Sequence, residues 1–251
     1  LTITQQLIWY EVPIMIGAHL LLLVMALDGK ITRLNGILLL LCLVLYTVYA
    51  IVKGRKEEYK GAIDSAKQTI SPLHILEQLG LIVIGLTLCV LGAGWLLDSA
   101  VILAKALGIS ELVIGITIVA ASTSLPEVAT SIVATIRGQR DIAVGNVVGS
   151  CIFNILGIVG VAAIVAPNGI VVAPSVLRFD LPVAIASCVA CLPIFFTDHK
   201  ISRWEGGVFF GYYIAFTSYL ILAAKEHDSL PMFSTIMLLF VIPLTLLTGA
   251  I

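Results

Sequence analysis

Apolar residues run along this chain in blocks of about 20, the length that crosses a hydrocarbon core, and short polar clusters separate the blocks. The pattern predicts eight membrane-spanning helices, at 7–27, 34–53, 75–105, 110–136, 141–166, 175–196, 203–224 and 231–251. The third is longer than a perpendicular crossing needs, which predicts tilt. A polar segment from Lys53 to Ser71, headed Lys-Gly-Arg-Lys-Glu-Glu, divides the second span from the third. Within lipid, every backbone polar group needs an internal partner, so spans of this length are helices. The expected architecture is an all-α membrane protein, a polytopic helical bundle.

One stretch of the pattern occurs twice. Tyr10-Glu-Val-Pro13 opens a span that ends in Asp28-Gly-Lys-Ile-Thr-Arg33-Leu-Asn-Gly36. Phe179-Asp-Leu-Pro182 opens another that ends in Asp198-His-Lys-Ile-Ser-Arg203-Trp-Glu-Gly206. Five predicted spans separate the two loops, and an odd number places them on opposite membrane faces. Similar sequence in opposite topology marks an inverted repeat, whose binding site lies at the repeat interface near the midplane. Within the second copy three spans come before Phe179, and within the first almost nothing comes before Tyr10. By symmetry, about three N-terminal helices that would carry the partner half of a site are expected to be missing.

Composition agrees. Hydrophobic residues make up 60% and charged residues 12%, against roughly half and a quarter in soluble domains. The mean hydropathy is +1.12. The net charge of −1 says nothing about partners in such a chain; the lipid bilayer is the implied surroundings and no nucleic acid is expected. Placing the Lys53–Ser71 loop in the cytoplasm puts nine basic residues inside (Lys53, Arg55, Lys56, Lys60, Lys67, Arg137, Arg140, Lys200, Arg203) and five outside (Lys30, Arg33, Lys105, Arg178, Lys225). No charged region precedes the first apolar run, so no signal peptide is read at the start. The five cysteines all fall in apolar runs, where no loop offers a disulfide. Cys188-Val-Ala-Cys191 has redox or metal spacing, but no further Cys or His lies nearby in sequence, and packing is the reading it receives.

The chemistry concentrates in Ala120-Ala-Ser-Thr-Ser-Leu-Pro-Glu127, inside the fourth span. A carboxylate near the bilayer centre costs about 2.5–3.5 kcal/mol on insertion scales, so Glu127 is a functional candidate. Thr123 and Glu127 are one turn apart and Ser124 nearly shares their face. Pro126 lacks an N–H, which is expected to free carbonyl oxygens near Ala120 to Thr123. Carbonyls, hydroxyls and one carboxylate are hard oxygen ligands suited to calcium or sodium. A proline kink satisfied by Ser and Thr explains everything here except Glu127.

The fifth span carries Asn146, Ser150 and Asn154 at intervals of four, one polar stripe, with Gly145, Gly149 and Gly157 beside it. Alone, this reads equally as a small-residue packing face. Asp98 and Glu111 lie near span ends and can reach the interface. Glu11 and Asp180 occupy equivalent repeat positions at span starts. His19 is read as a packed residue with a local hydrogen bond. An intramembrane hydrolase using Ser150 and His19 would need the two within hydrogen-bond reach, which nothing in the sequence provides.

At these residues the chain resembles the cation/calcium exchanger superfamily, in particular bacterial calcium/sodium antiporters. The superfamily's alpha repeat is matched by Thr123-Ser-Leu-Pro-Glu127, the basic loop Arg137-Gly-Gln-Arg140, and Gly145-Asn-Val-Val-Gly-Ser150-Cys-Ile-Phe-Asn154. The resemblance implies an inverted-repeat sodium/calcium exchanger-like fold. Residues 1–56 would be the end of the first repeat, 57–72 a cytoplasmic loop, 73–225 the whole second repeat, and 226–251 an additional helix. It implies metal ligands at Ala120, Thr123, Ser124, Glu127, Ser150 and Asn154, inorganic cations as partners, no cofactor beyond the transported ions, and no enzymatic activity. The implied function is calcium exchanged for sodium by alternating access, in the bacterial inner membrane. Potassium or proton coupling, or a non-transporting fragment, are the alternatives. Cys151 stands where the family often has Asn, and Asn154 where some members have Asp, which leaves fewer carboxylates to balance the ions.

Overall fold

A computed structural model describes residues 7–62, 72–109, 111–196, 202–224 and residue 235. The expected last span, 231–251, and the loop residues Asp198–Ile201 lie outside the described residues or almost wholly so. The helices are α1 (Val12–Ala26), α2 (Arg33–Ala62), α3 (Pro72–Ala106), α4 (Glu111–Ile114), α5 (Ala120–Thr123), α6 (Leu125–Ile136), α7 (Arg140–Phe153), α8 (Gly160–Val165), α9 (Leu181–Phe196) and α10 (Arg203–Ala224). Among the described residues, five helices are long and apolar enough to cross a membrane, and a bent pair makes a sixth. With 35 residues, α3 is about 50 Å long, more than a perpendicular crossing uses.

The boundaries differ from the sequence reading at the polar segment. Helix α2 continues past Lys53 to Ala62. Lys, Arg and Glu are good helix formers, so charge marks the end of the bilayer and not the end of the helix. Lys53 is an anchor as well as a charge. Its Nζ lies 3.5 Å from the Tyr10 ring centroid and 5.7 Å from that of Tyr49. The two rings are 6.2 Å apart, so a cation–π contact ties α2 to the turn that precedes α1.

The internal repeat is visible in the local geometry. A π-helical turn, Leu7–Glu11, leads into α1, with Pro13 at its second position. Another, Val176–Asp180, leads into α9 ahead of Pro182. A proline cannot donate to the carbonyl four residues back and crowds it, and a wider turn relieves both problems. The following helices also start alike. Asn35 N–H donates to Thr32 Oγ1 at 3.3 Å, and the threonine hydroxyl donates to Asn35 Oδ1 at 3.0 Å. In the second copy, Glu205 N–H donates to Ser202 Oγ at 3.2 Å and Ser202 N–H to Glu205 Oε2 at 2.6 Å. The second is a reciprocal capping box; in the first the return bond comes from the Thr32 hydroxyl and not from its backbone N–H.

The described residues fall into two compact units, one drawn from Gln6–Leu79 and Val147–Val189, the other from Gly80–Asn146 and Ala190–Ile251. In the first, α2 packs along α8 and the π-helical turn Asn154–Val159, and α1 also touches that turn. The core includes Val12, Met15, Leu22, Leu39, Ile152, Leu156 and Ala163, all buried. A two-residue antiparallel ladder, β1 (Lys30–Ile31) with β2 (Ile170–Val171), joins the α1–α2 loop to the loop after α8. It is too short to leave a period in the sequence. Gly169, at φ 72°, sits where a Cβ would meet the Ile31 carbonyl at 2.5 Å. In the second unit, α10 packs on α4 and the π-helical turn Gly115–Val119.

Candidate cation site

The fourth span is broken where the sequence places its polar run. The segment Thr117–Thr123 and helix α6 meet at 49°. Ser124 is the hinge, at φ −97°, ψ 1°, in a sparsely populated region where many active-site residues sit. It holds the N-cap position of α6, yet its side chain makes no cap bond, although serine is among the preferred caps. Pro126 occupies the first turn, where its missing N–H costs nothing.

The expected freeing of carbonyls occurs in part. Ser124 N–H donates to the Ala121 carbonyl at 3.1 Å. The Thr123 hydroxyl donates to the Ala120 carbonyl at 2.8 Å, and Ser122 to that of Val119 at 2.8 Å. A carbonyl has two lone pairs, so the Thr123 hydroxyl takes only one of those on Ala120. Ala120, Thr123 and Ser124 are exposed within the chain, and Glu127 is half-buried.

Glu127 lies in the first turn of α6, where the helix dipole favours a negative charge. Its Oε2 is buried and has no hydrogen-bond partner. Such an orphaned buried atom is rare in native proteins and calls for a physical explanation. A cation is the partner the surrounding oxygens suit. Among the described residues, no three or more His, Cys, Asp or Glu side chains come together.

Asn146, on α7, holds this helix in place. Its Nδ2 donates to the Glu127 backbone carbonyl at 3.0 Å and to Ser131 Oγ at 3.0 Å. The Ser131 hydroxyl in turn donates to the Ala143 carbonyl at 3.3 Å. The sequence placed Asn146 on the polar stripe but not as the tie to Glu127. Ser131 was missed, though it follows Glu127 by one helical turn. Replacing Asn146 with Ala removes two bonds worth about 0.5–1.5 kcal/mol each. A lowered unfolding midpoint of the purified protein is the expected result, and an unchanged midpoint would remove the tie.

Ser150 follows Asn146 by one turn of α7, and its hydroxyl donates to the Val147 carbonyl at 3.0 Å. Asn154 opens the π-helical turn that continues α7. Both belong to the unit that contains Val147–Val189. His19 lies elsewhere in chemistry: its Nδ1–H donates to the Met15 carbonyl at 2.8 Å and its ring meets Cys188. Among the described residues, the partners of its ring are Met15 and Cys188, and the partner of the Ser150 hydroxyl is Val147. None of the five cysteines forms a disulfide.

Fold and site together define a multi-pass helical membrane protein with an inverted repeat and a broken, carboxylate-bearing helix. The family model described as sodium/calcium exchanger protein matches residues 77–222, more than half of the chain. The chain belongs to the sodium/calcium exchanger family. It is 35% identical over 218 residues to "Putative antiporter CaxA" of Alkalimonas amylolytica, covering 83% of this chain and 68% of that protein. It is 41% identical over 127 residues to the sodium/calcium exchanger MaX1 of Methanosarcina acetivorans, covering 51% of this chain and 36% of MaX1. A solved structure of the sodium-calcium exchanger NCX_Mj, soaked with sodium and calcium, matches with a TM-score of 0.66 at 26% identity. That match covers 85% of this chain and 65% of the other.

Proposed function

We propose that this chain carries the cation-binding second repeat of a secondary active transporter that exchanges calcium for sodium by alternating access. The observation that carries the reading is the buried, partnerless Oε2 of Glu127 at a helix break in a membrane span. Calcium or sodium would be held by this carboxylate, the hydroxyls of Thr123 and Ser124 and the carbonyl of Ala120. Ser150 and Asn154 would add oxygens from the helix that continues beyond Asn146. The names of MaX1 and NCX_Mj support calcium and sodium as the ions. By the symmetry of the repeat, the remaining ligands would come from a first-repeat motif on helices ahead of Tyr10. The placement proposed is the bacterial inner membrane, with the polar segment after Lys53 in the cytoplasm.

A loaded site neutralises the carboxylate, and an empty one leaves a charge in the low-dielectric slab. Only loaded forms would therefore change access cheaply, which is the physical basis of exchange. Purified complete protein in proteoliposomes should take up calcium against an outward sodium gradient. No uptake with sodium, together with uptake driven by potassium or a proton gradient, would replace sodium as the counter-ion. No uptake with any of the three would sink the transport reading.

A further inference from the structure

His19 and Cys188 meet in the core of the first unit. The cysteine Sγ is 3.8 Å from both ring nitrogens, and the residues are 8% and 7% exposed. Because Nδ1–H donates to the Met15 carbonyl, Nε2 is the acceptor open to the thiol. The pair is 169 residues apart. The same offset relates Tyr10 to Phe179, Glu11 to Asp180 and Pro13 to Pro182.

The register holds through the two helices. Both follow a five-residue π-helical turn ending in an acidic residue. From there both helices run unbroken, α1 from Val12 past His19 and α9 from Leu181 past Cys188. The one-residue slip between the copies thus falls at the far end, beyond His19 and Cys188. The two touching residues occupy the same position in the two copies of the repeat.

In an inverted repeat, a residue that touches its own equivalent lies on the axis relating the copies. Going from the outward-facing to the inward-facing state exchanges the conformations of the copies. Under that exchange, the distance from His19 to Cys188 becomes the distance from Cys188 to His19, which is the same distance. Pairs that are not equivalent enjoy no such protection. We infer that the His19–Cys188 contact lies on the internal two-fold axis and is a fixed point of the transport cycle, keeping its separation while other helix contacts change. The inference rests on the alternating-access reading above. In this role the two are positioning residues, with Cys188 leaving room for the larger ring.

The test uses the complete protein with Cys42, Cys89, Cys151 and Cys191 replaced by Ala and His19→Cys added. Mercuric ion bridges two neighbouring thiols, each losing a proton, and the adduct is read by intact mass. Bridging rates in saturating sodium and in saturating calcium should agree within about two-fold, and bridged protein should keep about half or more of its flux. Rates differing about ten-fold, or flux lost on bridging in protein active beforehand, would overturn the inference. If unbridged protein carries no flux, the exchange reading fails, and the two rates alone still decide whether the contact is fixed. A second protein, with native His19 and Cys188 as its single cysteine, guards against misfolding of H19C. Its alkylation by N-ethylmaleimide should proceed at one rate in both ions, and an ion-dependent rate counts against the fixed contact.

Discussion

Replacing Glu127 with glutamine should abolish sodium-driven calcium uptake while leaving the protein folded. Glutamine keeps the shape and one oxygen but loses the charge. Breaking a buried charge pair by removing one partner costs about 3–5 kcal/mol, and each 1.4 kcal/mol is tenfold in affinity. The expected loss in calcium affinity is therefore on the order of 10²–10⁴-fold. A second readout separates lost binding from lost folding. A ligand present at 1,000 times its dissociation constant raises stability by about 4 kcal/mol. Calcium should thus raise the melting midpoint of the native protein and leave that of E127Q unmoved. In ion-free buffer, E127Q should be at least as stable as the native protein, because it no longer buries an unpaired charged oxygen. A glutamine variant that still exchanges, or that calcium still stabilises, would remove Glu127 from the centre of the site.

How much of this was legible in the sequence depends on the kind of information required. Span positions and the break near Pro126 follow from hydropathy and from proline's missing N–H, both written residue by residue. The exceptional status of Glu127 follows from the cost of its burial. Pairings are different. The bond from Asn146 to the Glu127 carbonyl joins residues 19 apart, and that from Asn146 to Ser131 joins residues 15 apart. The stripe containing Asn146 was visible, but a stripe does not say what it faces. Cys188 was read from its neighbour Cys191, and its actual neighbour, His19, lies in the other copy of the repeat. The extension of α2 to Ala62 was hidden because hydropathy reports where the bilayer ends. The π-helical turns before Pro13 and Pro182 could have been anticipated from those prolines. The turn Asn154–Val159 has no such signal.

The largest expected structural effect lies at a glycine in the repeated motif. Gly36 sits where α2 approaches α8. A Cβ there would be 2.7 Å from the Gly160 carbonyl oxygen and 3.0 Å from both the Ala163 Cβ and the Ile164 Cγ1. The approach is reciprocal, since a Cβ on Gly160 would lie 3.2 Å from the Gly36 oxygen and 3.1 Å from the Leu40 Cγ. One turn earlier, Gly157 faces Leu43 at 3.2 Å. Small residues let two membrane helices pack backbone to backbone, and van der Waals contact is the main attraction available to them in lipid. The nearest obstacle at Gly36 is backbone, which cannot rotate away. Gly36→Ala should therefore destabilise by about 1–3 kcal/mol, the usual range for overpacking, and Gly36→Leu should force the helices apart. Gly54 lies in the same helix with nothing within 4 Å of its would-be Cβ. There the helix propensity of alanine acts alone, so Gly54→Ala should be neutral or stabilise by up to about 1 kcal/mol. Melting midpoints of the two alanine variants, measured in one detergent, should move apart, with only the Gly36 variant falling. If both move alike, α2 and α8 do not make the close backbone contact on which this unit is built.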